Sequence, residues 1–210
     1  MATAIITRLG KEQTSEYKIE GFLQESRDPN IDLHIQQKII PGMYYVKLAE
    51  EHLYRPVSCI KVSFSNMANY PLQLWRHITR EEDYLGFMFH NSEGEELCKG
   101  RFTYGNYQTN NKGKFNLLYL IAGELQKSPQ GSELIGEDNI VFYLSQMLKF
   151  DGISLENPLL NIGDPSRING LKRDYEVRTD YISTDNKQAA EGVATVKIVP
   201  KKIFCRHAKS

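Results

Sequence analysis

Hydrophobic and polar positions alternate with a period of two through much of the first hundred residues. SCIKVSFS (58–65) is the clearest case: Ile60, Val62 and Phe64 fall on one face, Lys61, Ser63 and Ser65 on the other. That pattern predicts a half-buried strand. AIITRL (4–9) and YKIEGFL (17–23) are shorter runs with mixed alternation, and PGMYYVKLAE (41–50) starts at a Pro-Gly turn and reads as a strand. PLQLWRHI (71–78) alternates less cleanly, LGFMFH (85–90) reads as a buried strand, and GRFTYGNY (100–107) is its candidate partner. Turn residues separate these runs at intervals suited to a sandwich or barrel.

The period then changes. NNKGKFNLLYLIAGELQKS (110–128) places Phe115, Leu118, Ile121 and Leu125 at helical spacing, with Asn110 or Asn111 as a cap. SPQGSELIGED (128–138) reads as a loop. NIVFYLSQMLKF (139–150) carries Ile140, Val141, Leu144, Met147 and Leu148 along one face and predicts a second helix, with a strand as the alternative. Residues 151–174 are dense in Gly, Pro, Asn and Asp and read as irregular but folded. YEVRTDYIS (175–183) and GVATVKIVP (192–200) predict a β-hairpin. The expected class is α+β: a β-rich sandwich or barrel-like unit with a packed helix over 1–128, then a smaller helix-plus-hairpin extension with a basic tail over 129–210.

Composition narrows the partners. Lys plus Arg is 26 and Asp plus Glu is 26, so the net charge is zero and no global basic field draws the chain to nucleic acid. Cys59, Cys98 and Cys205 are far apart, with no CxxC, which suits a reducing compartment and argues against a disulfide framework. No secretion signal opens the chain and no apolar run approaches the roughly 20 residues that span a bilayer. A cytoplasmic protein, or one incorporated in a particle, is expected.

Candidate chemistry centres on LGFMFHNSEGEELCKGRF (85–102). A strand ending in His90 and a return strand carrying Cys98 would bring an imidazole and a thiol across a hairpin, with Arg101 available to an oxyanion or carboxylate. Glu93, Glu95 and Glu96 oppose this, because acidic neighbours raise a thiol's pKa. The alternative is a polar hairpin tip with a half-buried cysteine. His34, His52 and His77 form no HxH or HExxH arrangement, so no metal site is expected. GxGxxG and GxxxxGK[ST] are absent and no cofactor is expected. Lys99, Phe102, Tyr104, Tyr107, Lys112 and Lys114 interleave cations with aromatic rings as nucleic-acid surfaces do, and Lys201, Lys202 and Arg206 make the tail a candidate partner contact.

The order IIPGMYYVKL (39–48), LGFMFH (85–90), CKG (98–100) and KFNLLYLIAGEL (114–125) resembles a family of small domains of phages and bacterial mobile elements with an L,D-transpeptidase-like barrel, over roughly residues 5–125. The resemblance implies Cys98 as nucleophile and His90 as base. Leu97 stands where that family has glycine, and the His-to-Cys interval is shorter. Taken together, these features lean away from an enzyme. They favour a non-catalytic structural or binding component of a multi-protein assembly, of phage or mobile-element type, with other protein subunits as partners. A thiol enzyme acting on peptide or cell-wall-like substrates and a nucleic-acid-binding accessory protein are the alternatives.

Overall fold

The computed structural model describes residues 6–26, 30–105, 129–150, 159–182 and 188–202. Its elements are, in order, β1 (Ile6–Gln13), α1 (Glu16–Ser26), α2 (Ile31–Gln36), α3 (Gly42–Glu50), β2 (Val57–Phe64), β3 (Gln73–Arg80), β4 (Tyr84–His90) and β5 (Glu96–Tyr104). They continue as α4 (Pro129–Ile135), β6 (Asn139–Phe150), β7 (Leu159–Ile162), β8 (Ser166–Arg167), β9 (Asp174–Ile182) and β10 (Gln188–Pro200). The ten strands form one antiparallel sheet in the order β1-β3-β4-β5-β2-β6-β10-β9-β7, with β8 also on β9. The α+β class holds, with a large sheet and few helices.

Strand β2 is the seam. Ile60 lies opposite Phe102 on one side and Leu148 on the other, and Lys61 lies opposite Arg101 and Met147. The inner face runs on across it, through Val62, Gln146 and Ala194 in register. The main core packs Ile19, Phe22 and Leu23 of α1 and most of α3 against Leu74, Ile78, Leu85, Phe87, Phe89 and Phe102. Each such side chain contributes about 1.5–3 kcal/mol when fully buried. Leu148 and Phe150 of β6 belong to the same cluster, so the first core extends past the seam. A second cluster gathers Ile135 of α4 with Val141, Val177, Ala194, Val196 and Ile198.

Four local expectations are corrected. The stretch 41–50 holds helix α3 (Gly42–Glu50) behind an extended Pro41, not a strand, because Met43, Tyr44, Tyr45, Val46, Leu48 and Ala49 are all buried. A segment apolar on every side can be a central helix, and burial overrides the β preference of Tyr and Val. Residues 17–23 lie within helix α1. Residues 139–150 form strand β6, not a helix. The pairing steps from Thr195↔Ser145 to Val196↔Tyr143 and leaves Leu144 as an extra residue. That bulge resets the alternation and imitates helical spacing in the sequence. Residues 129–135, read as loop, form α4. The expected 175–183 and 192–200 hairpin is present as β9 paired with β10, and the expected helix at 110–128 lies outside the described residues. Among the described residues no helix is long and apolar enough to cross a membrane.

Candidate functional site

The chain between α2 and α3 builds the site. Helix α2 ends in a Schellman motif: Lys38 N–H donates to the Ile35 carbonyl at 3.2 Å and Ile39 N–H to the His34 carbonyl at 2.9 Å. Lys38 takes the left-handed conformation this motif requires, at φ 52°. The turn folds Ile39 back over His34, and the His34 ring Nδ1 lies 3.2 Å from the Ile39 carbonyl oxygen. An imidazole donating Nδ1–H to a carbonyl is held as the tautomer whose Nε2 carries the lone pair.

Two residues later Pro41 ends the extended segment and α3 begins. No side chain caps this helix. The first N–H groups of a helix have no intrahelical acceptor and carry its positive dipole end. Gly42 is required here by close approach: a Cβ at that position would meet the Phe64 ring at 2.8 and 2.9 Å.

A partly enclosed cavity of about 100 Å³ lies against this helix start. Its walls come from both sides of the seam: His34, Ile40, Met43, Tyr45 and Phe64 from the first half, Ile140, Phe142 and Tyr143 from β6. No Asp, Glu, Lys or Arg is among the described residues lining it. Met67, 55% exposed, marks its rim. Tyr45 is 2% exposed, and its hydroxyl has no hydrogen-bond partner among the described residues. Desolvation holds that phenol far above its ordinary pKa, so it stays a neutral donor. The combination is a largely apolar chamber with one imidazole, the phenols of Tyr45 and Tyr143, the amides of Asn30 and Asn66 and one helix N-terminus, suited to an uncharged chain that ends in a polarisable carbonyl.

The residues singled out in the sequence lie elsewhere. Cys98 is opposite both Phe64 and Phe89 and is fully buried in the main core. Burial, and then the charge of Glu96, push its thiol well above the usual value. His90 is next to Phe89 on β4 and projects to the other face of the sheet, where its Nε2 meets that of His77. The structure therefore does not bring Cys98 and His90 together. Arg101 is exposed on the outer face, its guanidinium 5.7 Å from the Tyr84 ring centre. Lys99 is exposed and pairs with Glu96 at 3.0 Å. Phe102 and Tyr104 point into the core, 0% and 8% exposed, away from the face that carries Lys99 and Arg101. Lys201 donates to the Glu137 carbonyl at 2.6 Å and Lys202 is exposed. Tyr107, Lys112, Lys114 and Arg206 lie outside the described residues.

His34 carries no signal of its own in the sequence, because no second histidine or carboxylate stands at ligand spacing. The available signal was its place in LHIQQKIIPG (33–42), a polar ring in an apolar segment leading to a Pro-Gly helix start.

No protein-family model matches the chain. No curated protein matches it by sequence. Solved structures do match. The dehydratase domain of the polyketide PpsC from Mycobacterium tuberculosis aligns with a TM-score of 0.61 at 8% identity, covering 92% of this chain and 94% of that one. The same domain in complex with C12:1-CoA aligns at 0.60 and 7% identity, with coverages of 92% and 94%. A Thermobifida fusca protein described as a thioesterase II aligns at 0.52 and 8% identity, covering 77% of this chain and 87% of that one. The fold shared with these proteins is the hotdog fold, seen here as a large antiparallel sheet with few helices. This corrects the resemblance to the phage and L,D-transpeptidase-like family: the neighbours are thioesterases and dehydratase domains. It equally overturns the reading as a structural phage or particle component.

Proposed function

We propose that this protein is an enzyme acting on acyl thioesters, with the cavity at the start of α3 as its active site and His34 as the general base. One observation carries the reading: His34, oriented by the Ile39 carbonyl, lines an apolar cavity that also meets the uncapped N-terminus of a buried helix. The dehydratase and thioesterase character of the fold's neighbours supports the same substrate class.

The acyl chain lies along Met43, Phe64, Ile140 and Phe142. Its thioester carbonyl sits at the first N–H groups of α3, where the helix dipole stabilises the oxygen as charge develops. His34 Nε2 takes a proton from water as its oxygen adds to the carbonyl in hydrolysis and passes it to the thiolate as the C–S bond breaks, or takes it from the carbon beside the carbonyl in dehydration and returns it to the β-hydroxyl, which leaves as water. The imidazolium that forms is stabilised by its Nδ1–H bond to Ile39.

The test is a panel of acyl-CoA and 3-hydroxyacyl-CoA thioesters of different chain lengths. Free thiol is followed for hydrolysis and the conjugated enoyl absorbance for dehydration. Turnover that vanishes in His34→Ala supports the reading. A folded protein that neither turns over nor binds any of these thioesters refutes it.

A further inference from the structure

A second pair of functional groups lies on the opposite, outer face of the sheet. His77 on β3 is opposite Met88 on β4, and His90 on β4 is opposite Trp75 on β3, so the two histidines sit one diagonal step apart. Their Nε2 atoms are 2.5 Å apart and their ring centres 4.7 Å apart, with the planes inclined by 35°. The His90 Nδ1 lies 3.1 Å from the Asn91 carbonyl oxygen. Donation there fixes the tautomer and turns the Nε2 lone pair toward His77. Metal-ligating histidines use this arrangement, in which the second ring nitrogen is anchored to a carbonyl.

We propose that His77 and His90 form a two-histidine site for a late first-row divalent cation of the Zn²⁺ or Cu²⁺ class. Imidazole nitrogens about 2.0–2.1 Å from a tetrahedral ion lie about 3.3 Å from each other. The two rings therefore need to part by less than ~1 Å, a side-chain rotation with no change in the strands. Both are half-buried rather than locked in the core. His77 also borders a broad outer groove of about 730 Å³, which gives an ion a path in. Among the described residues no third His, Cys, Asp or Glu completes a ligand set. Water or the thioether of Met88, which lines the same groove, fills the remaining positions, so the ion is exchangeable. Imidazole ligands select this class over Mg²⁺, which requires oxygen donors.

The test is calorimetric titration of Zn²⁺ into the full chain and into His77→Gln, His90→Gln and Met88→His, with Mg²⁺ as control and thermal melts to confirm folding. One Zn²⁺ per chain is expected, weakened at least ~10-fold in each glutamine variant. Met88→His, which adds a third nitrogen on the same face, should tighten it by a similar factor. Mg²⁺ should not bind. Zn²⁺ binding unchanged in both glutamine variants, or no stoichiometric uptake by the wild type, overturns the proposal and leaves a pair that only shares a proton. The site lies on the other face of the sheet from His34, so thioester turnover by the wild type and this binding are read independently.

Discussion

His34 and Ile39 are bonded in both directions: the Ile39 amide donates to the His34 carbonyl, and the His34 ring donates to the Ile39 carbonyl. The turn that ends α2 therefore also orients the base. His34→Ala should lower thioester turnover by roughly 10²–10⁴-fold, the usual contribution of a general base. The melting temperature should change little, since His34 is only half-buried. A variant that keeps wild-type turnover would remove His34 from the chemistry.

Lys38 holds this turn at a cost. An L residue in the left-handed region is disfavoured by roughly 1 kcal/mol, and glycine is not. Lys38→Gly should raise stability by about 0.5–1 kcal/mol, read as a higher urea midpoint at unchanged m-value. Lys38→Val should lower it, because a β-branched residue tolerates that conformation worst.

Cys98 should behave as core. In a Cys59→Ser, Cys205→Ser background its thiol should react with a disulfide reagent only as the protein unfolds, with no faster phase at raised pH. Cys98→Ser should cost about 1–3 kcal/mol by placing a hydroxyl between Phe64 and Phe89, while thioester turnover persists. Rapid labelling of native protein would contradict the burial described for this strand.

Glu96 links stability to acid. Its carboxylate accepts hydrogen bonds from Ser65 and then Lys99, and these hold its pKa below the ordinary value. A carboxyl group whose folded pKa is depressed stabilises the fold above its unfolded pKa, and that contribution is lost as pH falls through the folded value. Chemical denaturation from neutral pH down through the carboxylate range should show a decline in stability that is shallower in Ser65→Ala. Equal slopes in the two proteins would exclude this carboxylate as a contributor.

Legibility in the sequence followed the regularity of the strands. Ile60, Val62 and Phe64 alternate without interruption, and β2 runs where their spacing places it. The β9–β10 hairpin was equally plain. Leu144 broke the pattern in β6, since one inserted residue converts a period of two into an apparent helical face. Met43, Tyr44 and Tyr45 concealed α3, because a helix enclosed on all sides shows no polar stripe.

The candidate site was harder to see for a related reason. Its walls come from segments up to about a hundred positions apart, and Phe64 and Phe142 line one cavity only when β6 joins β2. The signal that sequence reading favours, His90 close before Cys98, concerns neighbours along the chain, yet Cys98 lies opposite Phe89, the residue adjacent to His90. On a strand, such neighbours are divided between the two faces of the sheet.

The β2–β6 ladder also sets an order of events during synthesis. When the ribosome has released residues up to Tyr104, β2 already has β5 on one side, while its other edge has no strand to meet. Those amides and carbonyls wait until residues 145–149 emerge, an interval of several seconds at ordinary elongation rates. Through that interval the nascent chain presents a naked strand edge beside Ile60 and Val62, a template for pairing with another chain. Holdase chaperones that shield this edge should raise the soluble yield of the full-length protein, and a stop codon soon after Tyr104 should give a product that aggregates through β2.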